Sequence, residues 1–302
     1  MSTQAPELQM QVGGISHVGG RANNEDAILL HELAPGPDLP TGGWVLAVAD
    51  GMGGAADGEV ASSLAIQTLQ SVFSQGPQTD AALALKQAYR QANEAVHAAG
   101  GEGDDRAGTT LVSAVVRGKY VTIANVGDSR AYLMRANQLT QITQDHSVVA
   151  EQVAAGALSP EEGRTSPHRN LLTAAIGTQP QLERRLPAIY ELVLLPEDRL
   201  LLCSDGFYDV LGNDDYLQLM SGEDAHTSAA ALTDLATQRR TTDNVSAVVL
   251  AVGSSMATMQ RAEIARDLAE HRAEHGTSIL VPVIILILVT ALVAAGVWYW
   301  MF

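Results

Sequence analysis

Nine runs of apolar or alternating residues punctuate the chain, at 11–17, 27–33, 44–49, 110–116, 120–126, 131–135, 191–195, 200–203 and 245–252. Their length, about four to eight residues, and their richness in Val, Ile and Leu predict β-strands. Three other stretches, 58–74, 81–99 and 228–240, repeat at helical spacing, and in the first Val60, Leu64, Ile66, Leu69 and Phe73 are expected to face the core. Arg117-Gly118-Lys119 and Ala136-Asn137-Gln138 read as hairpin turns. Strands that follow one another without a helix predict antiparallel pairing, so the pattern excludes a doubly wound parallel sheet and gives an α+β layered architecture. The stretch 145–179 breaks the strand rhythm with two short helical segments, 148–156 and 159–163, the second with Ser159 as N-cap and Pro160 at its first position. It reads as a flap inserted between strands, lying over the site.

Beyond residue 253 the pattern changes. Positions 279–302 hold 24 residues without a charge, a helix of roughly 36 Å at ~1.5 Å per residue, against a bilayer core of about 30 Å. Trp298, Tyr299 and Trp300 stand where an interfacial aromatic belt is expected. The segment predicts a transmembrane helix, joined to residues 1–253 by a juxtamembrane linker at 254–278 that carries Arg261, Arg266 and Arg272. Met1–Met10 is polar, without the apolar stretch of a signal peptide. Together these place the bulk of the chain in the cytoplasm, anchored by one pass through the inner membrane.

Composition narrows the chemistry. Lys and Arg number 18 against 34 Asp and Glu, a net charge of −16, which argues against a nucleic-acid partner because binding phosphate backbones needs a basic face. The single cysteine, Cys203, cannot form an internal disulfide; it lies in an apolar run and reads as a packing residue.

The acids are placed with a pattern of their own. Asp50 follows the run 44–49, Asp205 follows 200–203 and Asp243 precedes 245–252, so single carboxylates end several core strands and can converge. Converging carboxylates repel one another unless a cation neutralises them. Hard oxygen donors suit Mg2+ or Mn2+, which need few protein carboxylates. The cluster reads as a binuclear metal centre. Taken singly, Asp26, Asp128 and Asp243 also fit turn or capping roles, Arg130 a structural ion pair, Asp209 a helix-start cap and Glu161-Glu162 a solvated helix start.

In order along the chain stand Arg21…Asn24-Glu25-Asp26, Asp50-Gly51-Met52-Gly53-Gly54, Gly108-Thr109-Thr110, Gly127-Asp128-Ser129-Arg130, Asp145-His146-Ser147, Ser204-Asp205-Gly206-Phe207-Tyr208-Asp209 and Asp243-Asn244. This series resembles the metal-dependent Ser/Thr protein phosphatases of type 2C in their bacterial form, over roughly residues 10–252. The resemblance implies two antiparallel sheets packed as a sandwich and flanked by helices. It implies that Asp50 bridges two Mn2+ or Mg2+ ions, that the Gly51 carbonyl binds one of them, and that Asp205 and Asp243 hold the first. Glu25 and Asp26 would act through water or from the second shell, Asp128 with Asp205 would hold a third ion, and Arg21 would receive the substrate phosphate. The implied reaction is hydrolysis of phosphoserine and phosphothreonine in proteins, opposing a Ser/Thr kinase and acting on that kinase or its targets. Met52 departs from the histidine proposed as a general acid in many eukaryotic relatives. Either water or another group takes the task, or the acid is less needed for good leaving groups. His146 and His168, flanking the flap, are the nearest candidates, although each fits a structural or surface role better. Two other readings compete: a metallohydrolase of small phosphate esters, and an inactive scaffold of the same fold, against which the presence of Asp50, Asp205 and Asp243 argues.

Overall fold

The computed structural model describes residues 8–253 apart from 37–41, 54, 77, 101–105 and 223. The linker expected at 254–278 and the span expected at 279–302 lie outside the described residues. Among those described, no helix is long and apolar enough to cross a membrane.

Two antiparallel sheets face each other. The five-stranded sheet runs β1 (Met10–His17), β11 (Val245–Val252), β10 (Arg199–Cys203), β7 (Arg130–Arg135), β8 (Gln138–Gln141). The six-stranded sheet runs β2 (Asp26–Leu33), β3 (Gly43–Met52), β5 (Leu111–Arg117), β6 (Tyr120–Val126), β9 (Ala188–Val193), with the two-residue β4 (Gly108–Thr109) paired to the end of β3. Apolar residues of both inner faces, among them Leu46, Val48, Ile123, Leu202, Val248 and Leu250, fill the space between the sheets. Helices α1 (Ala55–Ser74) and α2 (Ala81–Ala99) cover the six-stranded sheet, burying Leu69, Phe73, Leu85 and Tyr89. Helices α5 (Asp205–Tyr208), α6 (Asn213–Leu219) and α7 (Ala225–Gln238) cover the other, around Phe207, Tyr216 and Leu232. Central strands covered on both faces read as continuous apolar runs; all eight residues of β11 are buried.

Local chemistry sets the boundaries. Asp80 caps α2 by accepting from the Leu83 amide, and the stripe Leu85, Ala88, Tyr89, Ala92, Val96 buries one face. Ala136 and Asn137, both at positive φ, make the tight turn between β7 and β8.

Several expectations need correction. Val60 points to solvent, because the core-facing stripe of α1 runs through Ala61, Ala65, Leu69 and Val72. The strand expected at 191–195 lies at Ala188–Val193, since Leu194 already bonds the Lys119 carbonyl outside the ladder. The third long helix starts earlier, where Asp224 accepts from the His226 and Thr227 amides, and ends before Arg240 at positive φ. Strand β8 escapes the apolar pattern because three of its four residues are exposed. Helices α5 and α6 are too short to show a period.

The stretch 145–179 holds two short helices near the segments expected at 148–156 and 159–163. Helices α3 (Val148–Ala154) and α4 (Pro160–Thr165) lie between β8 and β9, and Ser159 and Glu162 form a reciprocal capping box at the start of α4. Its base is closed by backbone bonds from Val148 to Leu171 and from Thr173 to His146.

Candidate metal centre

One end of the sandwich gathers the acids. In the six-stranded sheet Asp26 and Asp50 are direct cross-strand partners. In the five-stranded sheet, Arg130 and Ala247 both pair with Cys203. The turn before β7, the start of β11 and the end of β10 therefore share one edge, which carries Asp128, Asp243 and Asp205. Two polar side chains lock the sheets together there. Ser204 donates from Oγ to Asp26 Oδ2 at 2.8 Å and accepts from the Ser246 amide at 3.1 Å. Asn244 accepts from the Glu25 amide at 2.9 Å and donates to the carbonyls of Val18 and Asn23 at 2.8 Å each. The structure thus brings Glu25, Asp26, Asp50, Asp128, Asp205 and Asp243 to one end of the fold.

Asp50 is held from its backbone: Thr110 Oγ1 accepts its amide at 3.0 Å, and Thr109 Oγ1 donates to its carbonyl at 2.9 Å. At the following Gly51 three chain segments meet closely. A Cβ there would lie 2.0 Å from the Gly58 carbonyl oxygen and 2.7 Å from that of Glu25, so no larger residue fits. Gly127, at φ +101° and against the Thr110 side chain, turns the chain so that Asp128 enters the cluster.

Electrostatics follow from this crowding. Burial, then the charges of Asp26, Asp205, Asp128 and Asp243, hold the Asp50 carboxyl well above the usual carboxylate range. Burial, then Asp128 and Asp243, do the same to Asp205. Asp26 is pushed up to about 6 by burial, against the hydrogen bond from Ser204. Asp128 also reaches about 6, raised by burial and Asp145 and lowered by Arg130. Arg21, half exposed, donates from Nη2 to Asp243 Oδ2 at 2.6 Å, and that bond raises its already high pKa.

Whether the cluster fits a divalent cation is answered by its unpaired oxygens. Asp26 Oδ1 and Asp205 Oδ1 are buried without a hydrogen-bond partner, an arrangement that is unfavourable unless something cationic meets them. Among the described residues no three carboxylate, imidazole or thiolate groups already enclose a single point. The acids line one end of the fold as an all-oxygen donor set, and hard donors of this kind, mutually repelling, fit Mn2+ or Mg2+.

Other candidates resolve differently. Cys203 is buried in β10 with its thiol pushed up to about 12 by burial, so it is no nucleophile. His146 Nδ1 accepts from the Gly127 amide at 3.1 Å, and burial lowers its pKa, which makes it a neutral support for the Asp128 turn. His168 is exposed on the flap. Arg130 is the expected ion-pair residue, bidentate on Asp145. Asp209 ends α5, correcting the expected helix-start cap, because the helix begins four residues earlier at Asp205. Sequence reasoning assigned no role to Ser204, Asn244 or Thr110, although all stand inside the quoted motifs; their adjacency to an acid or to another polar residue was the available signal.

Comparison with known proteins agrees with this geometry. The protein phosphatase 2C family matches residues 13–247. The serine/threonine protein phosphatase PstP of Mycobacterium tuberculosis is 36% identical over 231 residues, 76% of this chain and 42% of PstP, so the chain spans less than half the length of that relative. The serine/threonine phosphatase stp of Listeria welshimeri is 37% identical over 176 residues, 55% of this chain and 68% of the Listeria protein. Among solved structures, M. tuberculosis PstP superposes with a TM-score of 0.71 at 34% identity, covering 81% of this chain and 99% of that one. The PstP catalytic domain in complex with two manganese ions gives 0.70 at 34% identity, covering 82% and 100%. Since the family match takes in every strand from β2 to β10 and each of the clustered acids, the chain belongs to the protein phosphatase 2C family.

Proposed function

We propose that this chain hydrolyses phosphoserine and phosphothreonine in proteins, using water as nucleophile at a centre of two Mn2+ or Mg2+ ions. The observation that carries the reading is the set of buried, mutually repelling carboxylates with two unpaired oxygens at one end of a type 2C fold. Metal ions bound there would supply an activated nucleophile and positive charge against the phosphoryl oxygens. Asp50 is the cross-strand partner of Asp26, and after burial it is raised by the charges of Asp26, Asp205, Asp128 and Asp243, which supports a bridging role for it, with the Gly51 carbonyl beside it. Asp205 and Asp243 would complete one ion's ligands, Glu25 and Asp26 would act through water or from behind, and Asp128 with Asp205 would take a third ion.

Arg21 brings a half-exposed guanidinium to the rim of the cluster. Its planar fork matches the oxygens of a phosphate dianion, which needs local positive charge to approach a chain of net charge −16. Met52 offers no proton, and His146 uses its Nδ1 to accept from the Gly127 amide.

The uncharged stretch 279–302 supports a single-pass anchor in the inner membrane, with residues 1–253 as a cytoplasmic catalytic domain and 254–278 as linker. The anchor would concentrate the enzyme near membrane-associated phosphoproteins, a Ser/Thr kinase and its targets among them. Turnover of matched phosphothreonine, phosphoserine and phosphotyrosine peptides beside a small aryl phosphate tests the substrate class. The first two peptides should be hydrolysed with the highest kcat/KM; faster hydrolysis of small esters alone would favour the metallohydrolase reading.

A further inference from the structure

Asp128 and Asp205 arrive from different elements, the β6–β7 turn and the start of α5, and after burial the Asp128 charge is the largest cause raising the Asp205 carboxyl. Tyr208, three residues after Asp205, donates from its hydroxyl to the Asp128 carbonyl oxygen at 3.2 Å. Its ring lies under Arg130, whose guanidinium carbon is 3.4 Å from the ring centroid. Arg130 is itself fixed: Nε donates to Asp145 Oδ1 and Oδ2 at 3.0 and 3.1 Å, Nη2 to Oδ2 at 2.7 Å, and Nη1 to the Tyr132 hydroxyl at 3.0 Å. A guanidinium so held can neither turn nor leave the ring, and it presents a flat cationic face to it.

We propose that Arg130 and Tyr208 form a positioning clamp that sets the separation of Asp128 and Asp205 and thereby the affinity for the ion those two carboxylates share. The inference rests on reading Asp128 and Asp205 as metal ligands. Burial and the neighbouring acids hold the Tyr208 phenol well above its ordinary pKa, so the hydroxyl stays a donor. Removing it frees the Asp128 turn to move away from Asp205 while the ring still fills its place. An ion pair serving stability alone would leave metal affinity untouched.

The test is a titration of the chelator-stripped full-length protein with Mn2+, counting free ion by electron paramagnetic resonance, for wild type, Asp128→Asn, Tyr208→Phe and Arg130→Lys. Asp128→Asn should lose the weakest bound ion. Tyr208→Phe should keep every ion but bind the weakest about tenfold less tightly, with a thermal midpoint in chelator equal to wild type. Arg130→Lys, which keeps the charge and loses the fork and the stack, should weaken the same ion at least as much. If Asp128→Asn loses an ion while Tyr208→Phe binds all of them as wild type does, the clamp is overturned and the ligand reading stands. If Asp128→Asn binds every ion normally, the ligand reading fails and the clamp with it. Uniform weakening at all sites in Tyr208→Phe, together with a lower midpoint, would assign Tyr208 to stability and also overturn the clamp.

Discussion

Asp50 and Arg21, the proposed bridging ligand and phosphate-binding residue, should fail differently. Asp50→Asn keeps the backbone bonds to Thr109 and Thr110 but removes the central charge. It should lower kcat by about a hundredfold or more, with an unchanged circular dichroism spectrum. Arg21→Ala removes a charged donor at the rim, worth about 1.5–3 kcal/mol, and should act mainly as a ten- to hundredfold rise in KM with kcat largely kept. Steady-state kinetics on one phosphopeptide separates the two. The raised carboxyls give a pH signature as well. Asp26 and Asp128 have folded-state pKa values of about 6, above the ordinary carboxylate value. They therefore stabilise the fold below the unfolded-state pKa and lose that contribution as pH rises through about 6. Chelated protein should melt on the order of 5 °C lower at pH 7.5 than at pH 5, and Mn2+ should remove the difference. A chelated protein more stable at pH 7.5 would show that the acids are not buried against one another. The acidic clusters were legible because each holds a Gly, Ser or Asn, and Asp50, Asp205 and Asp243 also stand at the end of an apolar run. The partners of Arg130 were not, because Asp145 and Tyr208 reach it from elements far along the chain.

At the scale of elements, the site exists because two sheets are pinned together at one edge. Ser204 is the pin, joining β10 to Asp26 on β2 and to Ser246 on β11. Ser204→Ala leaves Asp26 Oδ2 without its donor beside an already unpaired Oδ1. It should cost about 1–3 kcal/mol in urea unfolding and weaken Mn2+ binding in parallel; a stable variant with normal Mn2+ affinity would remove Ser204 from the site's support. Strands β6 and β11 were readable to the residue because each is flanked by turn residues and buried on both sides. What sequence could not give was which sheet each strand joins. Strand β1 pairs with β11, more than two hundred residues away, and β2, its neighbour in sequence, belongs to the opposite sheet. That choice depends on side-chain packing between the sheets, which has no local period. Val60 misled for a similar reason, since a helix of small residues such as Ala61 and Ala65 packs closely along a stripe that apolar size alone does not mark.

For the whole molecule, the proposed catalytic unit and the proposed anchor occupy separate stretches of the sequence. Every acid of the cluster lies before residue 244 and the uncharged stretch begins at 279. Deleting 279–302 should leave turnover of a soluble phosphopeptide unchanged and slow dephosphorylation of membrane-bound substrates; full-length protein found wholly in the soluble fraction of lysed cells would contradict the anchor. The central claim, however, is that the clustered acids work by holding divalent ions. Its most direct test is phosphothreonine-peptide hydrolysis by the full-length protein, stripped by chelator and then titrated with Mn2+, beside Asp50→Asn. Wild type should fall to background in chelator and recover fully as Mn2+ is added, while Asp50→Asn stays near background at every concentration; undiminished turnover in excess chelator, or wild-type recovery by Asp50→Asn, would contradict it.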